Sequence, residues 1–234
     1  MNYRQMLESI KREYSIVKIL SNKNECKILQ MRHKASDCDI VLRQYSSPVA
    51  VYNFLKNIRH ENLPDIYETY MLDDGQLVFE EFISGITVAQ VLEGGKYTYA
   101  GATKIISSLC DVLSFLHSIN IVHRDIKPEN IIITDNGAVK LIDFNASRVY
   151  KSESRADTVV LGTIGYASPE QYGLAQSDSR ADIYALGILL NVMLTGVHPS
   201  EHLAKGRAGK IVLKCTQIDP NKRFKTTEEL KYNL

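Results

Sequence analysis

The segment His123-Arg124-Asp125-Ile126-Lys127-Pro128-Glu129-Asn130, followed at a short interval by Asp143-Phe144-Asn145, gathers the residue types that hold a hard metal ion and move a proton. Ile131 to Ile133 and Val139 to Ile142 are short apolar runs, and Asn136-Gly137 between them predicts a two-residue hairpin turn. Such a hairpin folds Asn130 and Asp143 back beside each other. An amide oxygen and a carboxylate at neighbouring strand ends suit a Mg²⁺ ion that keeps water and phosphate oxygens in its shell. Asp125 then faces the same space as a proton acceptor, and Lys127 supplies a cation for a phosphoryl group in transit. Taken alone, Asp125 and Asn130 also fit a plainer role as loop caps, since both types are frequent in turns.

Further motifs follow in order. They are Gly162-Thr163-Ile164-Gly165-Tyr166-Ala167-Ser168-Pro169-Glu170, then Asp182 with Gly187 five residues on, then Asp219-Pro220-Asn221-Lys222-Arg223-Phe224. With the His123 to Asn130 and Asp143 segments, they resemble the eukaryotic-type protein kinases, in a compact bacterial-style Ser/Thr form. The resemblance implies transfer of the γ-phosphoryl of ATP to Ser/Thr hydroxyls of a protein substrate. Asp125 would be the base, Lys127 the stabilising cation, and Asn130 with Asp143 the Mg²⁺ ligands. It also implies structural roles for His123, for Phe144 under the metal site, for Asp182 holding the catalytic-loop backbone, and for Arg223 paired with Glu170. Thr163 falls on the substrate side. Arg124 is placed to meet a phosphate on the polar stretch Ala146 to Leu161, read as a loop, where Ser152, Ser154 and Thr158 are the acceptors and position favours Ser154 and Thr158.

The elements that must position these groups are legible on both sides. Tyr14 to Leu20, Lys27 to Met31 and Asp39 to Arg43 are β-rich runs separated by polar turns, which predicts a small antiparallel sheet. A helix is predicted from about Pro48 to Arg59, with Val51, Leu55 and Ile58 as its packing stripe. Leu77 to Ile83 reads as the strand leading to a hinge at about residues 81–85. From Ala102 to His117, the residues Ile105, Leu109, Val112, Leu113 and Leu116 recur at helical spacing, the signature of a core helix. The expected fold is therefore α+β, a single two-lobed kinase-like domain over residues 1–234, with a sheet lobe to about residue 82 and a mainly helical lobe from about residue 86. The resemblance places the nucleotide against Leu20, Ile28, Val41, Arg43, Glu80, Glu81, Ile83 and Ile132.

The sheet lobe departs from the family pattern. Ser21, Lys23 and Cys26 stand where a phosphate-covering loop has three glycines, and side chains there loosen the backbone's approach to phosphate oxygens. Arg43 stands in place of the family's lysine, a bulkier planar cation. The position of the family's ion-pairing glutamate falls on Val51, and no Asp or Glu occurs from Ile40 to His60. Successive strand side chains alternate faces, so only one of Glu80 and Glu81 can point inward. Glu80 is the expected partner of Arg43. Between His198 and Ile211 the chain is short where the family carries an extra helix, which predicts a reduced substrate platform.

Composition bounds the remaining classes. The 234 residues are 44% hydrophobic and 24% charged, with a net charge of +1, as expected of a soluble globular chain that does not bind nucleic acid. The basic run Lys205, Arg207, Lys210 and Lys214 reads as a solvated face. No apolar run approaches a membrane span, and the first residues lack the centre of a signal peptide, which predicts a cytoplasmic protein. The four cysteines lack metal-site spacing and are expected as free thiols. Two alternatives to a protein kinase remain open. Small-molecule kinases of the aminoglycoside type share the His123 to Asn130 pattern but normally lack Lys127, Gly162-Thr163 and Pro169-Glu170; a pseudokinase acting as a nucleotide-binding or protein-binding regulatory module draws its support from Ser21, Lys23, Cys26, Arg43 and Val51.

Overall fold

The computed structural model describes residues 3–23, 25–73, 75–150, 163, 165–172 and 178–234. The chain divides into two units, Met1–Ser84 and Gly85–Leu234.

The first unit is built on a five-stranded antiparallel sheet. Helix α1 (Tyr3–Glu13) leads into β1 (Tyr14–Asn22), β2 (Cys26–His33), β3 (Asp39–Tyr45), α2 (Val51–Leu55), β4 (Ile66–Leu72) and β5 (Gly75–Glu81), in the sheet order β1-β2-β3-β5-β4. Strand alternation sorts the side chains into two faces. Leu29, Met31, Ile40, Leu42, Leu77 and Phe79 form one apolar face, and Met6 and Ile10 of α1 complete that core. Each such side chain contributes about 1.5–3 kcal/mol by leaving water. The opposite face carries Val41, Arg43, Val78 and Glu80, and there Tyr45 bonds Tyr52 of α2, hydroxyl to hydroxyl, at 3.0 Å.

The second unit opens with β6 (Gly85–Thr87) and α3 (Val88–Gly94), whose Thr87 and Gln90 form a reciprocal capping box. Helix α4 (Tyr99–Ser118) follows, capped by the Thr98 side chain on the Gly101 amide and burying Ile105, Leu109, Val112, Leu113 and Leu116 as its spacing predicts. Then come β7 (Ile121–Val122), β8 (Ile131–Thr134), β9 (Val139–Leu141), β10 (Arg148–Val149), α5 (Arg180–Thr195), α6 (Gly206–Cys215) and α7 (Thr227–Tyr232). β6, β8 and β9 pair as one small sheet and β7 pairs with β10. α5 is buried along most of its length, and a methyl group at Gly187 would overlap Cβ of Cys215, so α6 packs against it at close range. Among the described residues no helix is long and apolar enough to cross a membrane.

Several expectations are corrected. The helix expected from Pro48 to Arg59 is only Val51–Leu55, because Ala50 provides no side-chain cap and Asn53 and Asn57 are weak helix formers. The β8–β9 connection is not a two-residue turn. The Gly137 amide donates to Thr134 O at 2.8 Å, the Thr134 amide donates to Ala138 O at 2.9 Å, and only Gly137 takes a positive φ, +80°, so a turn followed by a glycine bulge closes the hairpin. The stretch expected as a loop from Ala146 includes β10, in which Arg148 lies opposite Val122. In the basic run, Lys214 is not merely solvated, since it pairs with Glu229 at 3.0 Å and lies 4.0 Å over the Phe224 ring.

Candidate active site

In the second unit the hairpin brings its two ends together, and the Ile142 amide donates to Asn130 O at 2.9 Å. A short 3₁₀ turn, Pro128–Asn130, delivers Asn130 to the start of β8, where its Nδ2 donates to Asp125 O at 2.8 Å and to Asp125 Oδ2 at 2.9 Å. Covalent geometry then turns the Asn130 amide oxygen away from Asp125. Asp143 follows β9 by two residues and adopts a left-handed φ of +69°, with Oδ1 accepting from the Asn145 amide at 3.4 Å. A non-glycine residue in that region is held there by its surroundings.

Asp125 sits in a closed triangle. Lys127 Nζ contacts Asp125 Oδ2 at 2.7 Å and donates to Thr163 Oγ1 at 2.7 Å, and the Thr163 hydroxyl donates to Asp125 Oδ1 at 2.7 Å. Burial by itself would raise the Asp125 carboxyl, but the hydrogen bonds from Lys127 and Thr163 and the Lys127 charge hold it below its ordinary value. Asp125 is therefore an ionised, oriented acceptor beside a cation and a hydroxyl.

The loop that presents Asp125 hangs on Asp182 of α5. The carboxylate accepts from the His123 amide at 3.0 Å and the Arg124 amide at 2.7 Å, and it contacts His117 Nε2 at 2.8 Å. Burial works to raise this carboxyl, yet the His117 bond, the His117 and His123 charges and the Arg124 amide hold it low. His123 is fully buried, which pushes its imidazole below 6.5, and its ring meets Phe144 edge-on at 5.0 Å. Arg124 also has a left-handed φ, +69°, and its carbonyl accepts from Gln171 Nε2 at 2.9 Å. Glu170 and Arg223 form a buried two-pronged pair at 2.6 and 2.9 Å. Ser154 and Thr158, like Ser152, lie outside the described residues.

Sequence reasoning missed His117 and Gln171, which act through Asp182 and the Arg124 carbonyl. It also missed Asn191, buried in α5, whose amide holds the following loop through Val197 O, His202 O and the Ala204 amide. Their partners lie far along the chain or in another loop, and spacing alone does not reveal what each meets.

In the first unit, Ile28 lies opposite Arg43 and Val41 opposite Glu80, so these four share a face. Arg43 Nε donates to Glu80 Oε1 at 2.8 Å. Glu81 takes the other face and accepts from the Asp65 amide at 3.1 Å. Leu20 is exposed on β1, Ile83 is buried, and Ile132 is half-buried on β8 of the second unit. The turn expected to cover phosphates is a tight hairpin: Ser21 lies within β1, Cys26 opens β2, and the amides of Lys23 and Cys26 donate to each other's carbonyls at 3.1 and 3.2 Å.

A model of the protein kinase domain family matches residues 13–233. The chain belongs to the protein kinase family. An Aurora kinase of Candida glabrata is 31% identical over 216 residues, covering 87% of this chain and 60% of that protein. Serine/threonine-protein kinase PrkC of Bacillus subtilis is 31% identical over 203 residues, covering 76% of this chain and 31% of the relative. Serine/threonine-protein kinase PknB of Mycolicibacterium smegmatis is 29% identical over 208 residues, covering 76% and 33%. The kinase domain described here thus spans from about a third to three fifths of the length of these curated relatives.

Proposed function

We propose that this kinase domain transfers the γ-phosphoryl group of ATP to a Ser or Thr hydroxyl of a protein substrate, using a divalent metal ion of the Mg²⁺ type. The observation that carries this reading is the triangle of Asp125, Lys127 and Thr163, braced by Asn130. The acceptor hydroxyl oxygen attacks the γ-phosphorus, the bond to the β–γ bridging oxygen breaks, ADP leaves, and the hydroxyl proton passes to Asp125. Lys127 stabilises charge on the group in transit, and Thr163 holds the base and the cation in register.

The donor set fits the metal. The Asn130 amide oxygen, turned away by the bonds of Nδ2 to Asp125, and the Asp143 carboxylate are hard oxygen ligands of the kind Mg²⁺ accepts beside water and phosphate. When bound, the metal would offset charge on the nucleotide phosphates. Arg43, oriented by Glu80, serves as the phosphate-directed cation of the first unit, with Leu20, Ile28, Val41 and Ile83 as that unit's nucleotide contacts; the Glu81 side chain, on the other face, is not among them, and Ile132 is the contact supplied by the second unit. Arg124 receives a phosphate placed on Ser154 or Thr158.

A pseudokinase is the second reading, favoured by one observation. The Lys23 and Cys26 amides are spent on each other in a tight hairpin instead of being presented to phosphate. Transfer of labelled γ-phosphate, compared between the wild type and Asp125→Asn, separates the two. The kinase reading expects measurable transfer and a loss of roughly 10²–10⁴-fold in the variant with nucleotide affinity retained. Absence of transfer in the wild type, or equal transfer in both, overturns it.

A further inference from the structure

We propose that the first unit carries a binding site for a small organic ammonium ion, in the cavity between α1 and the apolar face of the sheet. The cavity measures about 310 Å³, near the lower end of the roughly 300–1,000 Å³ range of small-molecule sites. It belongs to the sheet face that carries Leu42 and Phe79, whereas Arg43 and Glu80 occupy the opposite face.

Its floor is apolar, made of Met6, Ile10 and Ile40. Its walls are aromatic. Tyr14 and Tyr70 both stand against Phe79, with ring centroids 6.2 and 5.8 Å away, the second edge-on at 78°, and Tyr67 lines the same space. Ring faces carry the negative end of the aromatic quadrupole, so several rings around one space attract a cation and gain most where water is partly excluded.

The polar groups reinforce that sign. Ser9, Glu13 and Glu68 line the cavity, and among the described residues its lining holds no lysine, arginine or histidine. Glu68 is engaged by Lys56 and by the Thr69 amide, which leaves Glu13, the last residue of α1, as the acid available to an incoming ammonium. The Tyr14 phenol is pushed above its ordinary value by burial first, then by Glu13 and Tyr70, as expected where added negative charge is disfavoured. An anionic ligand would meet carboxylates and aromatic rings. A neutral one would leave Glu13 unanswered, and a compact ammonium answers both.

The test compares choline with its uncharged carbon analogue, 3,3-dimethylbutan-1-ol, by NMR titration of the full chain. The expected result is saturable choline binding that shifts the resonances of Ile10 and Tyr70, with the neutral analogue about tenfold or more weaker. Glu13→Gln and Tyr70→Leu alter exposed side chains, so both variants should keep the wild-type fold by circular dichroism while each weakens choline binding about three- to tenfold. Equal binding of the two probes, no saturable choline binding in the wild type, or unchanged affinity in both variants overturns the proposal.

Discussion

The Arg43 guanidinium donates from Nε to Glu80 Oε1 at 2.8 Å, with the two side chains only 4% and 3% exposed. Arg43 lies opposite Val78, and Glu80, two residues on, is its diagonal neighbour on the same face of adjacent strands. α2 carries no acid in its first turn and offers Val51, Tyr52 and Leu55 as buried residues. The sheet itself therefore orients this cation. Each variant removes one partner of a buried charge-assisted bond, so Arg43→Met and Glu80→Gln should each cost about 3–5 kcal/mol, and the double variant less than the sum. Urea unfolding of the four proteins checks this, and strict additivity would show that the pair is not coupled.

Metal and nucleotide should stabilise the fold together. A ligand present at 100 times its dissociation constant adds about 2.7 kcal/mol, so millimolar Mg-ATP should raise the melting temperature if affinity is tens of micromolar. Chelating the metal should remove most of that rise. Asn130→Ala combined with Asp143→Ala should melt at the same temperature with and without Mg²⁺; a full shift in this variant would rule out the metal-ligand assignment.

Acid stability should fall in two stages. His123 has a folded value below 6.5, so the unfolded chain binds the extra proton first. Its contribution is intact above pH 6.5 and is lost as pH falls from there through the folded value. Asp125 and Asp182 are depressed below 3.8, so their contribution is present above pH 3.8 and is lost only below it. His123→Phe should flatten the upper stage and leave the lower one. Denaturant midpoints measured from pH 8 to pH 3 provide the comparison, and an unchanged upper stage would contradict the assignment.

Gly187→Ala should destabilise the second unit despite alanine's better helix propensity. The added methyl overlaps Cβ of Cys215 where α5 meets α6, and overpacking of this kind costs about 1–3 kcal/mol. Guanidinium unfolding should show a lower midpoint with an unchanged slope. A stabilised variant would mean that α6 yields without cost.

Local regularities settled much of the architecture from the sequence alone. The spacing of Ile105, Leu109, Val112, Leu113 and Leu116 determined α4, because a stripe at helical period has one way to bury itself. β-rich runs bounded by polar turns located β1, β2 and β3. Alternation along β5 separated Glu80 from Glu81, and the absence of any acid near Val51 left Glu80 as the carboxylate for Arg43. Tertiary structure decided what spacing does not encode. α1 carries only a thin described apolar stripe, Met6 and Ile10, and becomes legible when the sheet face that accepts it is known. α2 ends at Leu55 although the stripe continues to Ile58, since a helix this short is marginal and the weak helix former Asn57 follows where packing does not compensate. His117 reaches Asp182 across 65 positions, and Thr163 reaches Asp125 across 38. Such bonds are products of chain return, and their partners are chosen by the packing of whole helices and loops.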